Sequence, residues 1–179
     1  MNKLLAPVLG ILAAAGAAAS APSLAAPVRI DAGLVEGTPG RAPGVVAFKG
    51  IPFAKPPLGE LRWKAPQPVA PWSGVRKAAD FGPVCPHPPL PDNHLFFPGG
   101  LRAENEDCLT LNVWTRAGAR NLPVFVYVHG GGYRLGSGSE RLYQGDSLAS
   151  QGAVVVNFNY RLGVFGFLRS EEHTSELQS

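Results

Sequence analysis

The apolar run Leu122-Pro123-Val124-Phe125-Val126-Tyr127-Val128 opens directly into His129-Gly130-Gly131-Gly132-Tyr133, so a strand-like segment empties into three consecutive glycines. Glycine has no Cβ and reaches positive φ cheaply, which lets successive backbone N–H groups turn toward one point and leaves room for a carbonyl beside them. The chemistry such a loop performs is stabilisation of an oxyanion. It works together with a nucleophile elbow, G-x-S-x-G, and that pentapeptide does not occur in the 179 residues. Oxyanion donors are legible in this sequence; a nucleophile is not.

Other residues invite chemical readings that their surroundings weaken. Ser147, in Gly145-Asp146-Ser147-Leu148-Ala149, is one residue from an elbow. It precedes a strand instead of following one, which places it in a crossover connection and makes it structural. His129 stands at a strand end before the glycines and reads as a support for the loop, not as a catalytic base. His87, His94 and His173 have no metal-ligand spacing, and neither a metal nor a cofactor is expected. Gly131-x4-Gly136 hints at a phosphate loop, but Ser137 stands where that loop requires Lys.

Three segments positioning these residues read as strands, at 109–114, 124–129 and 153–158. The last two lack polar alternation, as strands buried on both faces do. Between them 145–151 has helical spacing and stops at Gly152. Strand, helical crossover and strand make a βαβ unit with a parallel pair. Upstream, 28–30, 33–36 and 45–49 read as short strands of an antiparallel N-terminal meander, followed by a Pro-rich stretch with Trp63 and Trp72 as packing anchors. Because the strand at 153–158 is expected to take its next neighbour from sequence beyond Leu168, its free edge is expected to be bare.

The ends differ in character from the middle. Residues 1–26 carry Lys3, an apolar stretch and the small-x-small pattern Ser23-Leu24-Ala25, a secretory signal peptide cleaved after Ala25 or Ala26. A secreted or periplasmic location follows, with no membrane attachment after cleavage. Residues 169–179 contain one apolar residue and resemble the translation of a short-read sequencing adapter, and so read as an artefact. Residues 27–168 then form part of one domain. The net charge is +3 with basic residues scattered, which gives no nucleic-acid patch. Two cysteines, Cys85 and Cys108, permit one disulfide in an exported chain.

Several ordered segments resemble the type-B carboxylesterase family, which includes the cholinesterases. Val46-Ala47-Phe48-Lys49-Gly50-Ile51-Pro52-Phe53-Ala54-Lys55-Pro56-Pro57 is similar to its "F-x-G-I-P-[FY]-A-x-P-P" stretch, and Pro71-Trp72-Ser73-Gly74-Val75 to its "P-W-x-G-V". Glu106-Asp107-Cys108-Leu109-Thr110-Leu111-Asn112-Val113-Trp114 resembles the "E-D-C-L-x-L-N-V" signature, and 159–168 the "N-Y-R-x-G-x-F-G-F-L" segment. The resemblance implies the N-terminal part of an α/β-hydrolase fold, in which antiparallel strands lead into a central, mostly parallel sheet. It implies hydrolysis of a small-molecule carboxylic ester through Ser, Glu or Asp, and His, all beyond Leu168, with the N–H groups of Gly131 and Gly132 as oxyanion donors. It further implies a Cys85–Cys108 disulfide and an Arg62–Glu106 ion pair, both structural. The cysteine loop lacks the tryptophan that binds choline in cholinesterases, and Phe96 or Phe97 offers a weaker cation–π face. The chain as written is expected to be inactive. The alternative is a non-catalytic cholinesterase-like adhesion module, which a replaced downstream serine would mark.

Overall fold

A computed structural model describes residues 26–89 and 103–168; the segment up to residue 25 that reads as a signal peptide, His94, Phe96, Phe97, His173 and the tail 169–179 lie outside the described residues. Four strands open the chain: β1 (Val28–Ile30), β2 (Gly33–Glu36), β3 (Thr38–Pro39) and β4 (Val45–Pro52). They pair as two antiparallel hairpins, β1 with β2 and β3 with β4. The hairpins do not share a sheet, which corrects the single meander expected from sequence. β2 takes β5 (Val75–Lys77) as a parallel partner in a three-stranded sheet, while β3 and β4 begin a five-stranded one. The chain changes sheets at Gly37, where a Cβ would lie 2.6 Å from Val46 Cγ1. Only a residue without a side chain lets the crossing press this closely on β4.

The larger sheet runs β3-β4-β6-β8-β7, with β6 (Thr110–Arg116), β7 (Val124–Val128) and β8 (Val154–Phe158). β6 pairs antiparallel with β4 and β8, and β7 lies parallel to β8. The parallel pair is joined through helix α1 (Asp146–Ser150), the βαβ unit that the periodicity predicts. Asp146 in the first turn suits the positive end of the helix, and Gly152, at φ +99°, ends it. Gly145 lets α1 close onto the sheet, because a Cβ there would stand 2.6 Å from Val155 Cβ and 3.0 Å from Trp114 Cε3. Beneath α1 the buried set is Val45, Ala47, Trp114, Ala149 and Val155. A second core, Val35, Val46, Phe48, Ile51 and Ala78, draws on both sheets, and Trp72 packs against it. Trp63 is instead exposed; its Nε1 donates to the Val164 carbonyl at 2.8 Å.

Two expectations about the sheet are overturned. β8 is paired on both edges, by β6 and β7, so among the described residues the unpaired edge at this end of the sheet belongs to β7. β7 is also not buried: Val124, Phe125, Val126 and Val128 are 48–62 % exposed. Continuous apolarity reports what a strand is suited to bury, and among the described residues β7 is partly covered only at Tyr127, whose ring packs on Tyr143 with centroids 4.6 Å apart. Sequence adjacency misled here because the crossover sets β8 down between β6 and β7 and not outside β7.

Candidate functional site

Parallel register assembles the site. Val128 is level with Phe158, so β7 and β8 release their chains at the same end of the sheet and bring 129–133 beside 159–163. The two loops are stitched together there. The Tyr160 hydroxyl donates to the His129 carbonyl at 2.8 Å, the two rings stack at 4.3 Å, and the Gly163 N–H donates to the Tyr133 carbonyl at 2.7 Å, at the first residue of helix α2 (Gly163–Phe167).

Within this clamp the glycines take backbone conformations that other residues resist. Gly131 has φ +122° and Gly132 φ +61°, and Tyr133 continues at φ +61°. A Cβ on Gly131 would collide with the Leu135 carbonyl oxygen, whereas one on Gly132 would meet nothing within 4 Å. The Gly131 carbonyl accepts from the N–H groups of Arg134 and Leu135 at 3.1 and 3.3 Å. Among the described residues, the N–H groups of Gly131 and Gly132 donate to nothing. Gly132, Tyr133, His129, Tyr160 and Phe167 line an open cavity of about 590 Å³. Two unspent backbone donors on a turn that borders a largely aromatic cavity, which Gly132 lines and Gly131 adjoins in sequence, can stabilise negative charge on a substrate oxygen.

His129 orients the first of these donors. Its ring is buried, and burial lowers its pKa below the usual histidine value, which favours the neutral imidazole, against a smaller opposing effect of the hydrogen bond to Gly130. Nδ1 lies 2.9 Å from the Gly130 carbonyl oxygen, which accepts only if Nδ1 carries the proton. In a trans peptide the C=O and N–H point in opposite directions. Holding the Gly130 carbonyl toward the ring therefore turns the Gly131 N–H to the other side. Gly136 permits the arrangement, since a Cβ there would stand 2.6 Å from both the Gly130 oxygen and His129 Nδ1. Nε2 is left buried, with no hydrogen-bond partner among the described residues.

The segment after the turn rests on a buried polar layer. Asn159 Oδ1 accepts from the Gly138 N–H at 2.8 Å and the Ser137 hydroxyl at 3.1 Å, while its Nδ2 donates to the carbonyls of Pro83 and Cys108. Asn112 donates to Asn157 Oδ1 at 2.8 Å, and Asn157 donates to the Tyr143 carbonyl. Sequence reasoning gave these asparagines no role. The available signal was an amide inside otherwise apolar strands, which burial obliges to find partners. Glu140 accepts from the Ser137 N–H at 2.8 Å, and burial pushes its pKa up to about 7.

Cys85 and Cys108 form a disulfide with Cα atoms 5.0 Å apart, buried with Ala54, Leu109 and Leu162. Closing its 23-residue separation is worth about 3 kcal/mol on the chain-entropy model. Arg62 grips Glu106 with two hydrogen bonds, Nε to Oε2 at 2.7 Å and Nη2 to Oε1 at 2.6 Å. The pair lies next to the disulfide and away from the glycines' cavity. Ser147 sits exposed in α1, and among the described residues its hydroxyl meets no histidine or carboxylate. Among the described residues no group of three His, Cys, Asp or Glu side chains could hold a metal ion, and no helix is long and apolar enough to cross a membrane.

Comparison with known proteins follows the same outline. Residues 25–177 match the model of the carboxylesterase family, a span that runs into the 169–179 tail. The para-nitrobenzyl esterase of Bacillus subtilis is 50 % identical over 127 residues, 70 % of this chain and 26 % of that protein. The fumonisin B1 esterase of Sphingopyxis macrogoltabida is 44 % identical over 77 % of this chain and 25 % of its own, and the acetylcholinesterase of Electrophorus electricus is 45 % identical over 69 % and 21 %. A solved PNB esterase superposes with TM-score 0.74 at 44 % identity, covering 83 % of this chain and 30 % of that one. These structural neighbours are esterases of the α/β-hydrolase fold, and the sheet described above is consistent with its N-terminal part. The chain spans about a quarter of the length of the curated relatives it matches.

Proposed function

The chain belongs to the carboxylesterase family, and from that premise we propose that the intact gene product hydrolyses small-molecule carboxylic esters through an acyl-enzyme, with Gly131 and Gly132 as oxyanion donors. The observation that carries this reading is the pair of N–H groups, undonated among the described residues, on a positive-φ turn beside the 590 Å³ cavity. A serine oxygen attacks the ester carbonyl carbon while a histidine takes its proton. The carbonyl oxygen becomes an anion held by Gly131, Gly132 and the N–H following the serine. Collapse expels the alcohol, which recovers the proton, and water repeats the sequence on the acyl-enzyme.

The exposed edge of β7 supports this placement. A further parallel strand there would open its turn at the end of the sheet where 129–133 already lies, which is where an elbow serine must arrive. The serine, acid and histidine are assigned to sequence beyond Leu168. The test is a full-length protein assayed on a para-nitrophenyl ester. A burst of nitrophenolate and labelling of a G-x-S-x-G serine by a fluorophosphonate support the reading. An intact elbow with neither burst nor turnover overturns it.

The same proposal covers the ends of the chain. Residues 1–26 direct export to a secreted or periplasmic location, 27–168 are the hydrolase portion, and 169–179 are foreign to it. A mature N-terminus at Ala26 or Pro27 supports the first assignment. Genomic codons after Leu168 that do not spell an adapter overturn the last.

A further inference from the structure

We propose that Tyr133 and Phe167 are specificity residues that receive a flat aromatic ring carried by the ester substrate, an inference that deepens and rests on the esterase reading above. Both line the cavity of about 590 Å³ that Gly132 also lines. Tyr133 directly follows Gly132, so its Cα stands about 3.8 Å from that of the oxyanion donor. The Tyr133 and Phe167 rings meet with centroids 4.7 Å apart and planes at 52°, and Phe167 meets the Tyr160 ring edge-on at 6.4 Å. Tyr160 in turn stacks on His129. The result is one aromatic wall that starts at the buried imidazole and ends, among the described residues, in two open rings, Tyr133 at 63 % and Phe167 at 51 % exposure. Val128 and Phe158 add apolar surface to the same cavity.

The open pair is set before any ligand arrives. Tyr133 holds φ +61°, a left-handed conformation that residues with side chains seldom enter and that clusters at active sites and ligand clamps. The bond from the Gly163 N–H to the Tyr133 carbonyl, at 2.7 Å, ties this residue to the start of α2, and Phe167 is the last residue of that helix. One hydrogen bond therefore joins the backbones that carry the two rings. Rings already oriented lose little freedom on binding. A third ring placed against them gains edge-to-face or offset attraction beyond its apolar area, because the positive edge of one ring meets the negative face of another. A saturated ring of equal carbon count offers the area without that attraction. The cavity thus suits an ester with a phenyl group close to the reacting carbonyl, carried on its acyl or its alcohol side.

The experiment uses the full-length protein and two matched pairs of esters followed by proton release. Benzyl acetate against cyclohexylmethyl acetate places the ring on the alcohol, and methyl phenylacetate against methyl cyclohexylacetate places it on the acyl group. Wild type is expected to favour the aromatic member of at least one pair about tenfold in kcat/KM, equivalent to about 1.4 kcal/mol. The pair that shows the preference assigns the side. Phe167→Leu and Tyr133→Leu should each lower that ratio about threefold, chiefly through KM of the aromatic member, while Tyr133→Phe keeps it. A purely structural role would slow both members alike and leave the ratio unmoved. Phe167 lies far in sequence from the donor turn, so its variant decides the matter if Tyr133→Leu does not fold. No aromatic preference in either pair for wild type, or an unaltered ratio in folded Phe167→Leu, overturns the assignment and leaves the esterase reading standing. Turnover of none of the four esters by wild type overturns the esterase reading, and this inference with it.

Discussion

Replacing Gly131 and Gly132 separately by alanine tests whether the turn acts through donor geometry. At Gly131 the new Cβ collides with the Leu135 carbonyl oxygen at a φ of +122°, a region that side-chain-bearing residues rarely enter. Relief requires rotation of the backbone at that residue, which swings its N–H away from the oxyanion. Loss of one such donor costs about 2.7–4 kcal/mol of transition-state stabilisation, or roughly a hundred- to a thousandfold in kcat. At Gly132 the Cβ meets nothing within 4 Å and φ is +61°, where an L-residue can remain for about 1–2 kcal/mol. The donor stays aimed, so kcat should fall less than about tenfold. The added methyl faces the cavity that Gly132 lines and should raise KM instead. Both variants of the full-length protein would be assayed on para-nitrophenyl butyrate, with kcat and KM resolved and thermal melts confirming the fold. A folded Gly131→Ala enzyme with kcat within threefold of wild type refutes the reasoning, as does a larger kcat loss at Gly132 than at Gly131.

Two pH effects of opposite sign follow from the buried groups around the turn. The His129 pKa is lowered from 6.5, so its neutral form contributes stability above that pH that is lost as pH falls through the folded value. The melting temperature should drop on acidification below 6.5, with a smaller drop in His129→Phe. Glu140 is raised from 4.5 to about 7, so its contribution is present below 4.5 and lost as pH rises through about 7. Glu140→Gln should match wild type in melting temperature near pH 5 and exceed it above 7; equal melts at pH 8 would show that the carboxylate is not strained by burial. Residues 26–168 expressed alone should self-associate through the exposed β7 edge, and Val126→Lys should restore a monomer in sedimentation. A monomeric unsubstituted segment would show that edge to be harmless.

What the sequence determined by itself is local. Three glycines after an apolar run specify a turn with freed N–H groups because that freedom is a property of the residue type, and Gly131 and Gly132 take positive φ. Asp146 and Gly152 bound the crossover helix for equally local reasons. Partnership in space was decided only by the fold. Apolar content made β7 and β8 alike, yet β8 is enclosed between β6 and β7 while β7 lies open, because sheet order depends on the path of the crossover and not on the composition of either strand. The proton on His129 Nδ1 and the amide layer of Asn112, Asn157 and Asn159 were likewise invisible in one dimension. Each depends on what an adjacent turn, a second strand and a loop distant in sequence place within a few ångströms, and hydrogen bonds and desolvation act over that range.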